Sequence, residues 1–200
     1  MKVKLLLILL SLITVNTFAQ EKEKFKIEKG SWNYSGQLSL NFSAVNGGFD
    51  FVGDIKAQVG YTIKDNLVLG IGLGSFNSDL PLLDNSSNNF KMNGASVFTY
   101  LKKYYPISEK LAFTLQGEIK YSFEENEINY LAAPVIKNDV FSIGVRPGFT
   151  YFLSKNIALE TNLGFVGYSY THERTLNNNT HKFGVDLDAT NVTFGVLFNF

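Results

Sequence analysis

The sequence predicts an all-β chain: an eight-stranded antiparallel up-and-down β-barrel that crosses a membrane, behind a cleaved signal peptide. Three observations carry this: a two-residue hydrophobic period, a run of that period longer than an ordinary strand, and connections that alternate between short and long. The clearest stretch is Leu111 to Glu124. Leu111, Phe113, Leu115, Gly117, Ile119, Tyr121 and Phe123 fall on one face, and Ala112, Thr114, Gln116, Glu118, Lys120, Ser122 and Glu124 on the other, because side chains alternate faces along a strand. A helix would group Phe113, Gln116, Gly117 and Lys120, which makes no coherent face. The alternation outlasts the roughly 5–6 residues of an ordinary strand. It matches the roughly 9–11 that a tilted strand needs to cross a bilayer.

A chain of 200 residues suits one all-β unit. It contains no cysteine, which excludes a disulfide framework, thiolate chemistry and a Cys-ligated metal. Lys2 and Lys4, the apolar run from Leu5 to Val15 and the ending Thr17-Phe18-Ala19 form an export signal, with cleavage expected after Ala19. The expected organisation is a signal peptide over 1–19, a flexible charged leader over 20–29 and the barrel over 30–200. Losing Lys2 and Lys4 takes the 18 basic residues to 16 against 18 acidic, a net charge of −2. That is no electrostatic footprint for nucleic acid.

The strands follow in order. The first, Ser31 to Phe42, sets Trp32, Tyr34, Leu38, Leu40 and Phe42 against Ser31, Asn33, Ser35, Gln37, Ser39 and Asn41. Gly47-Gly48 marks the turn after it. The second, Phe51 to Ile63, sets Ile55, Ala57, Val59, Tyr61 and Ile63 against Asp54, Lys56, Gln58 and Thr62; Lys64-Asp65-Asn66 is a short turn. The third, Leu67 to Asn77, carries Leu67, Leu69, Ile71 and Leu73 opposite an almost bare face of Gly70, Gly72 and Gly74. A long polar loop is expected over Ser78 to Asn93. In the fourth strand, Gly94 to Tyr105, Val97, Thr99, Leu101 and Tyr105 compete with Phe98, Tyr100 and Tyr104 for the apolar face. Pro106 to Lys110 is a short turn into the fifth strand, Leu111 to Glu124, and Asn126 to Asp139 is a second long loop. The sixth, Val140 to Leu153, contains Pro147, which lacks a ladder N–H, so a bulge or a missing bond is expected there. After the short turn Ser154-Lys155-Asn156, the seventh runs from Ile157 to Thr171 with Ile157, Leu159, Leu163 and Phe165 outward and Glu160 inward. A third long loop is expected over His172 to His181. The last strand carries Val192, Phe194, Val196, Phe198 and Phe200. Phe183, Val185 and Leu187 have the opposite parity, so a bulge is expected near Ala189 to Asn191. Eight antiparallel strands put both termini and the three short turns at one end and the longer loops at the other, the asymmetry of outer-membrane barrels.

A soluble barrel would turn the apolar stripe inward. The polar face here is mostly Ser, Thr, Asn, Gln and Gly, whereas a water-exposed sheet carries more Lys and Glu. The stripe also ends in aromatics at both levels: Trp32, Tyr61, Tyr151 and Phe198 near the short turns, and Phe51, Phe123 and Phe141 near the loops. Two such belts fit two lipid interfaces. On Lys103-Tyr104-Tyr105-Pro106, on Arg146-Pro147-Gly148-Phe149-Thr150-Tyr151-Phe152 and on the ending Thr193-Phe194-Gly195-Val196-Leu197-Phe198-Asn199-Phe200, the chain resembles the small outer-membrane β-barrel domain proteins of the Bacteroidetes type. These are related in form to the OmpA/OmpX-like barrels. The resemblance implies an outer-membrane location, a lipid surround, a monomer and no cofactor. It also implies that Phe194, Val196, Phe198 and Phe200 form the C-terminal signal read by the barrel-assembly machinery. Lys103 stands where an arginine is common in that family.

Several constellations bear on function. Gly70-Ile71-Gly72-Leu73-Gly74 lacks the further glycine and the helix of a dinucleotide loop; its bare face is expected to leave room for long side chains from across a narrow lumen. Counted from the short-turn ends, the inward charges Lys56, Glu118 and Arg146 sit at similar height, with Asp54, Lys120 and Glu160 nearby in level. In an interior just wide enough for side chains such charges must pair, so a network with Arg146 against Glu118 and Lys56 near an acid is expected to plug the barrel. The competing expectation is a narrow pore for ions or small solutes. Ser169, His172, Glu173 and His181 have the residue types of a lipid-modifying or metal site, but nothing in the sequence fixes their geometry, and no catalytic or metal residue is expected. The Asn-rich stretches over Asp84 to Asn89 and Asn177 to Asn179 favour hydrated turns that could meet an extracellular partner.

Overall fold

The structure, a computed structural model, describes residues 25–45, 48–81, 89–128, 135–186 and 192–200. The expected signal peptide, the loop residues 82–88 and 129–134 and the expected bulge near Ala189 lie outside the described residues. Ten strands are formed among them: β1 (Trp32–Val45), β2 (Gly48–Lys64), β3 (Leu67–Pro81), β4 (Asn89–Pro106), β5 (Leu111–Ile128), β6 (Ile136–Phe152), β7 (Ile157–Leu163), β8 (Phe165–Glu173), β9 (Asn178–Asp186) and β10 (Val192–Asn199). All pairings are antiparallel. Each strand from β1 to β6 pairs with the next in sequence, β6 pairs with both β7 and β8, and β10 pairs with β7 on one side and β1 on the other. β7 with β8 and β9 with β10 are halves of the seventh and eighth staves, so the chain is a closed eight-stranded barrel. Closure removes the sheet edges that hydrocarbon does not tolerate.

The apolar stripe faces outward. Ile55 is 67% exposed, and Leu73, Ile119, Ile143 and Phe194 are also exposed, while Gln116, Glu118, Arg146 and Glu160 are buried. Trp32 packs edge-on to Tyr61 with ring centroids 5.2 Å apart, and Phe113 does so with Phe149 at 5.6 Å, in a belt beside the short turns. Tyr121 and Phe123, at 4.9 Å, belong to the opposite belt.

Four local readings change. In β4 the competition is resolved with Val97, Leu101 and Tyr105 exposed and Phe98, Tyr100, Lys102 and Tyr104 buried. The glycine face of β3 is filled by its neighbour rather than from across the lumen: a Cβ on Gly72 would meet the Phe98 ring at 2.3 Å, and one on Gly70 the Tyr100 ring at 2.5 Å. The bulge expected at Pro147 lies on the facing stave. Between the pairs Gly148↔Asn162 and Val145↔Val166, β6 supplies Arg146 and Pro147 while the other stave supplies Leu163, Gly164 and Phe165. Gly164 takes the extra place with φ 77°, which a side chain disfavours. The extra residue flips the parity, so Phe165, expected outward, lays its ring in the lumen against Gly144 and Gly167. The long loop expected over His172 to His181 is instead a tight hairpin, with β8 and β9 extended and only four turn residues, 174–177, between them.

The leader also differs from the expected flexible segment. Ile27 is fully buried, and Phe25 stacks on Phe152. Ile27 donates its N–H to Asn66 Oδ1 at 2.8 Å and accepts from the Asn66 N–H at 3.0 Å; Gly30 donates to the Thr62 carbonyl at 2.9 Å. Asn66 holds φ 62° in that turn, a left-handed conformation asparagine tolerates. Lys26 pairs with Asp65 at 2.9 Å. Residues 25–30 therefore lie across the short-turn end of the barrel.

Candidate functional site in the barrel lumen

The lumen is built in three layers from the short-turn end upward. The lowest is apolar: Ile27, Tyr104, Phe152, Ala112, Ala158, Val68 and Leu197 form one buried cluster, with Phe25 packed against it. This is unlike the wet interior of a wide barrel, and its apolar area resists water.

Above it sits a buried ion pair. Lys102 Nζ donates to Glu160 Oε1 at 2.9 Å and to Oε2 at 3.2 Å. Glu160 also accepts from Ser35 Oγ at 2.9 Å, Tyr104 OH at 3.1 Å, Gln37 Nε2 at 3.3 Å and Thr150 Oγ1 at 3.5 Å. These donors come from β1, β4 and β6, so the β7 carboxylate ties together strands on different sides of the lumen. A carboxylate removed from water needs such saturation. Asn162 Nδ2 extends the layer by donating to Gln37 Oε1 at 3.0 Å and Thr193 Oγ1 at 3.1 Å.

The third layer holds the other charges singled out in the sequence. Arg146 Nε donates to Glu118 Oε1 at 2.9 Å, and its Nη1 to the Gly164 carbonyl at 3.3 Å, with the Phe165 ring centroid 4.9 Å from the guanidinium carbon. Gln116 Nε2 donates to Glu118 Oε2 at 3.3 Å. Lys56 pairs with Asp54 at 2.9 Å. Lys120 lies on the same inner face within electrostatic reach of Arg146, Lys56, Glu118 and Asp54. The structure thus brings Lys56, Glu118, Lys120 and Arg146 together and places Glu160 apart, in the layer below. Its partner Lys102 escaped the sequence reading because the parity of β4 was ambiguous. The signal was present: Lys102 shares parity with Tyr100 and Tyr104, and a lysine between two aromatics facing lipid would be costly.

The residues weighed for catalysis do not assemble. Ser169 and His172 are three apart on β8 and point to opposite faces of the sheet. His172 Nδ1 lies 2.8 Å from Asn179 Oδ1, and His181 Nδ1 lies 2.6 Å from Tyr168 OH, both exposed. Among the described residues no group of three His, Cys, Asp or Glu is placed to hold a metal. Of the expected C-terminal signal, Phe194, Val196, Phe198 and Phe200 are outward and exposed.

Comparison with known proteins agrees with this architecture. The family model described as outer membrane protein beta-barrel domain matches residues 5–200. The chain is similar in fold to Neisserial surface protein A (TM-score 0.53, 14% identity, covering 86% of this chain and 100% of that one). It is similarly close to Ail, the attachment invasion locus protein of Yersinia pestis, solved with the heparin analogue sucrose octasulfate (TM-score 0.51, 11% identity, 86% and 99% covered). No curated protein matches the chain significantly. The chain belongs to the outer membrane protein beta-barrel domain family, and its place is the outer membrane.

Proposed function

We propose that this member of the outer membrane beta-barrel family is a closed, non-catalytic scaffold that presents its loop end to the cell exterior. The observation that carries the proposal is the Glu160 layer. One carboxylate accepts from Lys102, Tyr104, Ser35, Gln37 and Thr150, directly above the apolar plug completed by Phe25 and Ile27. A narrow pore would need both layers to part. The opposite facing of Ser169 and His172 supports the non-catalytic reading. Contact with a partner falls to the end away from the termini, where the β8–β9 hairpin exposes Leu176 and His181, the latter hydrogen-bonded to Tyr168. The barrel acts as a monomer in lipid, inserted by the assembly machinery through its C-terminal strand.

Planar-bilayer recording of the purified protein tests the closed lumen. The expected trace shows no stable openings above baseline. A stable large conductance would establish the pore reading instead.

A further inference from the structure

We propose that the upper lumen is a binding site for a small oxyanion of phosphate or sulfate size, centred on Lys120. Three cations, Lys56, Lys120 and Arg146, meet two acids, Asp54 and Glu118, in the third layer. Both acids are taken, Asp54 by Lys56 and Glu118 by Arg146 and Gln116. Among the described residues Lys120 stands in no ion pair; farther up the same face of β5, Glu124 lies within electrostatic reach of both Lys120 and Lys182. An unpaired cation withdrawn from bulk water is costly.

A second observation lies beside it. Ser142 is the register partner of Lys120 on β6, and its hydroxyl is buried without a hydrogen-bond partner. Buried polar groups are rarely left so. A cation beside a free hydroxyl donor supplies the charge-assisted and neutral hydrogen bonds that a tetrahedral oxyanion accepts. The Glu160 layer lies below, so entry is from the loop end; that direction rests on the closed lumen proposed above, whereas binding does not.

The test is a calorimetric titration of inorganic phosphate into the folded full-length barrel in micelles, with sulfate as competitor. Saturable, competed binding is expected. Lys120→Met should weaken it by about tenfold or more, as loss of a charged contact does, and Ser142→Ala by a smaller factor. Lys110→Met, in an exposed turn at the opposite end, should leave it unchanged. Unboiled gel migration verifies that each variant is folded. Non-saturating heats, or wild-type affinity in folded Lys120→Met, would overturn the proposal. If that variant does not fold, wild-type affinity in Ser142→Ala overturns it. An open channel in bilayer recordings would overturn the closed lumen and leave this binding curve to be judged separately.

Discussion

Glu160 concentrates more of the interior chemistry than any neighbour, and its removal should be felt most. In Glu160→Gln the Lys102 ammonium loses its counter-charge inside the barrel. Breaking a buried pair from one side costs about 3–5 kcal/mol, read as a lower urea midpoint in micelles. Lys102→Met should cost a similar amount. The double variant should cost less than the two combined, because neither charge is then left alone. At the turn, the Lys26 ammonium, hydrogen-bonded to Asp65, holds its carboxyl below the ordinary aspartate range, helped by the Lys29 N–H at 3.0 Å. A depressed carboxyl contributes to docking of the leader above its ordinary pKa and loses that contribution as pH falls through the lowered value. The Asn66 amide resonance, which reports the bond to Ile27, should therefore hold steady near neutrality and move below about pH 4. Asp65→Asn should abolish the movement.

Among elements, the seventh stave is the one whose interior depends on a single backbone choice. Gly164 at φ 77° lets Leu163 face out and Phe165 face in, and Phe165 then covers the Arg146 guanidinium. Gly164→Ala should lower stability by about 1–2 kcal/mol through left-handed strain, checked by the same urea titration. The strands themselves were legible because alternation is local: the faces of Leu111 to Glu124 are those the structure adopts. Where the sequence misled, the cause was non-local. Pro147 was the visible irregularity, yet the extra residue was placed opposite it, and a one-residue slip reverses every later side chain. The pairing of Arg146 with Glu118 was legible from similar height on neighbouring strands. Lys102 with Glu160 was not, because it spans the lumen and hangs on the parity of β4. The docking of Phe25 and Ile27 was hidden by their setting in a charged leader, where two apolar residues two positions apart gave too short a period to read.

At the scale of the whole molecule, one arrangement explains the rest. Lipid takes the exposed Ile, Leu and Phe surface, the closed ladder satisfies the backbone, and the polar faces are forced into an interior so narrow that they must satisfy one another. Plug, ion pairs and glycine-aromatic contacts all follow from that inversion. Spin labels placed singly along residues 113–120 measure it directly, by comparing access of oxygen, which prefers lipid, with access of a water-soluble nickel relaxant. Labels at Phe113, Leu115 and Ile119 should be oxygen-accessible, and those at Gln116, Glu118 and Lys120 should not. Oxygen access at Glu118 and Lys120, with Phe113, Leu115 and Ile119 shielded from it, would contradict the inverted barrel.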